Sequence, residues 1–277
     1  MKLTIGFTAY LINWIVNRIK KNQNCIIIIT GATGSGKTYS SLTLAEVLSS
    51  MLNVPFTIKN IVFKPSGFME RINSKELKKG SCLIFDEAGV GYSAREWWTI
   101  SNKLINYLMQ TFRHRNYITI FTTPDLGFID KSARKLIHIH LETQSIDYFK
   151  KLVITRPFIA QSSQRTGKIY WKYLRVPVEG KLIPPKVERV CFGLPSKRLR
   201  NQYEAKKLAY TDELNAEIER TLKGGGKGAL TEREQRYKSY VKIGLTAKQI
   251  AYREKVETAT VYQTFTKIRQ KGYPLGE

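Results

Sequence analysis

Residues 25–38 read Cys-Ile-Ile-Ile-Ile-Thr-Gly-Ala-Thr-Gly-Ser-Gly-Lys-Thr. The first six form a short, nearly unbroken apolar run, the pattern of a strand buried on both faces. Glycines stop that run, and a helical pattern takes over from Lys37 to about Leu52. Between strand and helix, Gly31, Ala32, Thr33, Gly34, Ser35, Gly36, Lys37 and Thr38 fill the GxxxxGK[ST] pattern in the context that makes it informative. Glycine is needed where the backbone curls so that successive N–H groups point inward at phosphate oxygens. The positive end of the helix dipole strengthens that field. ATP and Mg²⁺ are the expected ligands, with Lys37 neutralising the β- and γ-phosphates and the Thr38 hydroxyl ligating the metal.

Working outward, a probable strand at Ile61 to Phe63 and a helix around Gly67 to Leu77 precede a second buried run, Cys82 to Phe85. That run ends in Asp86-Glu87, 49 positions after Lys37. A carboxylate there lies at the C-terminal edge of the sheet, where open α/β folds bind ligands. Asp86 is placed to hold Mg²⁺ through water, and Glu87 to orient or deprotonate the attacking water. A loop from Gly89 to Arg95 and a helix carrying Trp97, Ile100, Leu104, Tyr107 and Leu108 lead to a third apolar run, Tyr117 to Phe121, closed by Thr122-Thr123. Arg113 or Arg115 could reach a neighbouring subunit's γ-phosphate, and Thr123 could sense that phosphate or the water. Strands alternating with helices predict a mainly parallel sheet covered on both faces. His138 and His140 alternate on one strand face without a carboxylate or cysteine at ligand spacing, which suits packing better than metal binding.

Later segments differ. Ile137 to Leu141, Asp147 to Thr155, Lys168 to Val178 and Lys186 to Phe192 read as strands without long helices between them. Residues 195–222 are charged and helical, and a glycine cluster over 223–228 reads as a flexible linker. The expected division is a P-loop domain over 1–222 and a small all-α domain over 229–277.

The central motifs resemble a family. Gly31 to Thr38, Phe85-Asp86-Glu87-Ala88-Gly89-Val90-Gly91 with Ala94-Arg95-Glu96-Trp97-Trp98, Thr111-Phe112-Arg113-His114-Arg115, and Phe121-Thr122-Thr123-Pro124 are similar to the zonular-occludens-toxin-type P-loop ATPases of the FtsK/HerA group of DNA pumps. The resemblance spans about residues 10–200. It implies a RecA-like core with an extra strand between the phosphate-loop strand and the Asp-Glu strand. It also implies a homo-oligomeric ring, hexameric by expectation, with sites shared between subunits.

The chain of 277 residues carries 46 Lys+Arg against 22 Asp+Glu, a net charge of +24, and such an excess predicts a polyanionic partner. The segment 223–277 holds twelve Lys+Arg against five Glu. Thr231 can cap a helix to Lys242, Thr246 a second over Ala247 to Glu254, and a third runs from about Thr258 to Lys271. Leu245, Ile250, Ala251, Val256, Val261, Phe265 and Ile268 supply its core. This is helix-turn-helix spacing, and it resembles the DNA-binding ends of transcription regulators. Docked in that manner, Thr258, Ala259, Tyr262, Gln263 and Thr266 face the major groove of duplex DNA, with Lys267, Arg269 and Lys271 near phosphates.

The apolar stretch Leu3 to Val16 is shorter than the ~20 residues a spanning helix needs and lacks the features of a secretory signal. Leu11, Trp14, Ile15 and Ile19 form a helical stripe suited to core packing, with peripheral membrane contact the lesser alternative. Three well-separated cysteines without CxxC spacing fit a reducing cytoplasm. These readings converge on an ATP-driven DNA motor or DNA-remodelling ATPase of a mobile element or virus. A nucleotide-switched DNA-binding regulator and a phage-type assembly protein are the alternatives, and the lack of a membrane span disfavours the latter.

Overall fold

A computed structural model describes residues 2–86, 115–129, 131–178, 180, 182–223 and 230–275. The expected loop at 89–95, the helix around 97–108, Glu87, Arg113 and linker residues 224–228 lie outside them. The chain divides into two compact units, 1–206 and 207–277.

The first unit is built on one sheet. Its strands are β1 (Cys25–Thr30), β2 (Ile61–Val62), β3 (Cys82–Phe85), β4 (Ile118–Thr123), β5 (Ile139–Asp147), β6 (Leu152–Ser162), β7 (Ile169–Tyr173) and β8 (Val190–Phe192). They lie in the order β2-β3-β4-β1-β5-β6-β7, with β8 also paired to β6. From β2 to β5 every pairing is parallel, and β6 begins the antiparallel part. The mixed α/β architecture with a mainly parallel sheet follows the expectation. β4 stands between the phosphate-loop strand β1 and the Asp86 strand β3, which is where the resemblance places the extra strand.

All six residues of β1 are buried because helices cover both faces of the sheet. Ile26 and Ile28 point into a cluster with Leu83, Phe85, Phe121 and residues of α3 (Pro65–Asn73), namely Phe68 and Ile72. Phe68 holds Phe85 and Phe121 together, with ring centroids 5.6 and 5.7 Å away. By strand alternation Ile27 and Ile29 face the opposite side, that of α1 (Lys2–Lys20) and α2 (Lys37–Leu52). Leu11, Ile15 and Ile19 of α1 are 0–2% exposed and pack in the core, while Trp14 of the same predicted stripe is half-buried under the Arg18 guanidinium. Each such aliphatic side chain contributes ~2 kcal/mol through burial. Among the described residues no helix is long and apolar enough to cross a membrane.

The β5–β6 boundary corrects the sequence reading. Asp147 ends β5 rather than opening the next strand, and the chain turns at 148–151, with Tyr148 and Phe149 exposed and Lys151 left-handed (φ 54°). The tip carries two aromatic residues, Tyr148 and Phe149, and none of the Gly, Pro or Asn that mark a turn in sequence. Among the described residues the remaining α-helices of this region are the short α4 (Lys131–Arg134) and the long α5 (Lys197–Lys223), within which the division at 206/207 falls.

The second unit holds α6 (Glu232–Lys242), α7 (Ala247–Glu254) and α8 (Thr258–Gln270). Thr231 and Thr246 each form a capping box, with Glu234 and Gln249 returning the bond. Ile250, Ala251, Val261 and Ile268 form the buried centre, together with Tyr237, which the sequence reading did not include. Lys255 takes the left-handed turn (φ 54°) where glycine is usual. Lys271 Nζ lies 2.5 Å from Glu234 Oε2, joining the end of α8 to the first turn of α6.

Candidate nucleotide site

The 31–38 loop leaves the C-terminal end of β1 and enters α2 at Lys37, so the helix N-terminus faces the loop. Close approaches account for two of its three glycines, and Gly34 has open space around it but a left-handed backbone (φ 77°). A Cβ on Gly31 (φ 151°) would overlap Thr143 Oγ1, and one on Gly36 (φ 88°) would lie 2.5 Å from Val153 Cγ2. Both neighbours belong to the β5–β6 hairpin. Thr143 also shares a hydrogen bond with Ser35 Oγ at 2.6 Å and donates to Thr30 O at 2.9 Å, bracing the loop against β5. The register of β5 shifts between Thr143 and Ser145, a bulge beside this contact. Lys37 Nζ donates to Gly31 O and Ala32 O, each at 2.8 Å, so its charge already lies over the loop.

Asp86 follows β3 and is completely buried. Alternation turns it to the α2 side of the sheet, opposite Phe85. There its carboxylate accepts from Thr38 Oγ1 (3.0 Å), from Thr122 Oγ1 (2.7 Å) and from the Tyr203 hydroxyl (2.5 Å). The expected meeting of Thr38 with Asp86 is present. Thr122 and Tyr203 were not anticipated as its partners. Alternation along β4 puts Thr122 and Thr123 on opposite faces without saying which face Asp86 shares, and Tyr203 gave no signal in a charged helix.

Thr123, the expected sensor, points to the other side of β4 and donates to Asp125 O at 3.4 Å, while its neighbour Thr122 takes the place at Asp86. Arg115 precedes β4 and so sits at the N-terminal edge of the parallel sheet, with its guanidinium on Ile72 O at 2.5 Å. A six-residue strand spans ~20 Å, which separates Arg115 from the phosphate loop of its own chain.

His138 and His140 are structural. His138 Nδ1 accepts the Ile26 N–H at 3.0 Å, and His140 Nε2 lies 2.7 Å from Thr30 Oγ1 beside the rings of Phe158 and Trp171. Burial pushes His138 down to about 3 and His140 to about 4, with Arg18 adding to the shift at His138. No cluster of three or more His, Cys, Asp or Glu suited to a metal occurs among the described residues. Because an unfolded chain takes up these protons from the ordinary value near 6.5 while the folded chain does not, stability is full above that value. It falls as the pH drops toward 4 and 3. Urea unfolding at about pH 7 and about pH 5 should differ by about 2 kcal/mol for each histidine. An unchanged midpoint would contradict their neutral, buried state.

Residues 45–180 match the family model for Zonular occludens toxin (Zot). The chain is Zot-like. The match takes in Asp86 and Thr122 and begins downstream of the phosphate loop, so the 31–38 motif and the family assignment are independent observations. A Zot-type domain is P-loop NTPase-like, in keeping with the mixed α/β fold. The crystal structure of the N-terminal domain of zonular occludens toxin from Neisseria meningitidis aligns with 55% of this Zot-like chain and 94% of its own, at 16% identity and a TM-score of 0.31. No curated protein matches the chain.

Proposed function

We propose that this Zot-like chain binds and hydrolyses ATP with Mg²⁺ and couples turnover to movement or remodelling of duplex DNA in a mobile element or virus. The hydrogen bond from Thr38 to Asp86 carries the nucleotide reading, since it joins the phosphate-loop helix and the strand-end carboxylate at one point. The Zot match supports a phage-associated ATPase as the broader class.

The loop N–H groups and Lys37 would hold the phosphates, Lys37 exchanging its two carbonyl partners for phosphate oxygens. Thr38 gives its proton to Asp86, which leaves its oxygen lone pairs free for a hard cation. A hydroxyl and a carboxylate are the oxygen donors that suit Mg²⁺, so these residues fit the metal. When bound, the ion, held by Thr38 and Asp86, would supply charge neutralisation to the nucleotide's phosphates. Glu87, next to Asp86 in sequence, is assigned the attacking water. Arg113 or Arg115 would act on a neighbouring subunit in a ring, the only geometry open to Arg115 given its place at the far sheet edge.

DNA binding is assigned to α8, on which Ala259, Tyr262, Gln263, Thr266, Lys267 and Arg269 are exposed and Thr258 is half-buried. The net charge of +24 favours the same partner. Steady-state ATP hydrolysis with and without duplex DNA tests both parts. The wild type should turn over faster with DNA, and Glu87→Gln should fall by ~10² or more. Normal hydrolysis by Glu87→Gln would remove the catalytic assignment. Operator-specific binding without DNA-stimulated turnover would favour a nucleotide-switched regulator.

A further inference from the structure

Both oxygens of the Asp86 carboxylate are held by hydroxyl donors. Thr122 donates to Oδ1 at 2.7 Å and Tyr203 to Oδ2 at 2.5 Å, while Thr38 bridges the two oxygens at 3.0 and 3.3 Å. The threonines arrive with the strand and loop that define the site. Tyr203 arrives from α5, 117 positions further along the chain.

We propose that Tyr203 is a positioning residue of the metal–nucleotide site, its phenol setting the orientation in which Asp86 holds Thr38 and the cation. The inference rests on the nucleotide reading above. An aspartate's terminal torsion is broad, so nothing intrinsic fixes the carboxylate plane. Asp86 is 0% exposed and has no bulk water to orient it. Donors to different oxygens therefore decide the plane, and Tyr203 supplies the direct bond to Oδ2 other than the longer Thr38 contact.

Tyr203 is itself immobilised. It is 2% exposed and packs on Phe63 with ring centroids 6.1 Å apart. Its helix is pinned on either side: Ser196 Oγ bonds Glu46, Glu204 accepts from Tyr39 at 2.9 Å, and Lys206 Nζ donates to Ile58 O at 3.1 Å. A displacement of this first part of α5 would thus be felt at Asp86 through a single hydroxyl.

Tyr203→Phe removes that hydroxyl and keeps the ring against Phe63. Binding of a fluorescent ATP analogue is measured in EDTA and across a Mg²⁺ titration. Affinity in EDTA should stay within about twofold of wild type, while the Mg²⁺ concentration at half-effect rises about tenfold, as expected on losing a hydrogen bond to a charged group. Phe63→Leu loosens the packing and keeps the hydroxyl, so its Mg²⁺ midpoint should move by clearly less than that of Tyr203→Phe. In an Asp86→Asn background the Tyr203→Phe effect should vanish, because the phenol acts through that carboxylate. An unchanged Mg²⁺ midpoint in Tyr203→Phe, or an equal shift in Phe63→Leu, would overturn the inference. Failure of the wild type to bind the analogue at all would overturn the nucleotide reading itself.

Discussion

Lys37→Ala should lower kcat/KM for ATP by ~10²–10³ and leave the fold intact, the scale of losing one preorganised charge at a reacting phosphate. Lys37 Nζ stands 2.8 Å from both Gly31 O and Ala32 O, so its ammonium is held over the space the loop encloses before any ligand arrives. Little side-chain ordering then remains to be done on binding. Alanine removes the charge and two bonds that tie the loop's first carbonyls to α2. Core stability should change little, since the hydrophobic contacts around β1 do not involve this ammonium. Turnover kinetics, analogue binding and a thermal unfolding midpoint check the three parts together. Hydrolysis within threefold of wild type would refute the role of Lys37.

Asp86→Asn should act on both stability and turnover. The native carboxylate only accepts, and three hydroxyls, from Thr38, Thr122 and Tyr203, donate to it in a buried site. An amide offers one acceptor oxygen and places an NH₂ against at least one of those donors. Unfolding free energy should fall by ~1–3 kcal/mol, the cost of leaving a buried polar group mismatched. Metal-dependent turnover should fall by ~10². The two effects separate experimentally, since urea unfolding without nucleotide reports the first and a Mg²⁺ titration of hydrolysis the second. Thr122→Val is the useful contrast: it removes one donor from the same carboxylate and should reproduce a smaller part of the stability loss. A variant that is destabilised and hydrolyses normally would confine Asp86 to a structural role.

Much of the nucleotide site was legible because its parts are local in sequence. The β1 run, the glycines and Lys37-Thr38 are contiguous, and their order alone places a helix N-terminus against a curled loop. Asp86 was legible at one remove, since an apolar four-residue run ending in an acid puts that acid at a strand tip. The helical caps Thr231 and Thr246 were equally plain, because a capping box spans only four residues.

What the sequence left open has a different cause. Thr143 and Val153 shape the phosphate loop from a hairpin more than a hundred residues downstream, and no local pattern links them to Gly31 and Gly36. Thr122 and Thr123 are adjacent and chemically alike, and only the direction of β4 in the sheet chooses the one that meets Asp86. Lys271 is one more cation in a basic segment by sequence, and only the fold pairs it with Glu234. Arg115 precedes β4, and only the strand direction shows that it stands at the sheet edge away from its own phosphate loop.

By itself, then, the amino-acid order determined the strand–loop–helix unit, the acid at the tip of the next buried strand and the three-helix spacing of the C-terminal segment. Each depends on periodicity and on backbone chemistry acting within a few residues. Tertiary structure alone decided which hydroxyls surround Asp86, what closes over the glycines and which cations are already paired. Those are contacts across long chain separations, and in a packed interior they follow from strand order and side-chain direction, which no short stretch of sequence encodes.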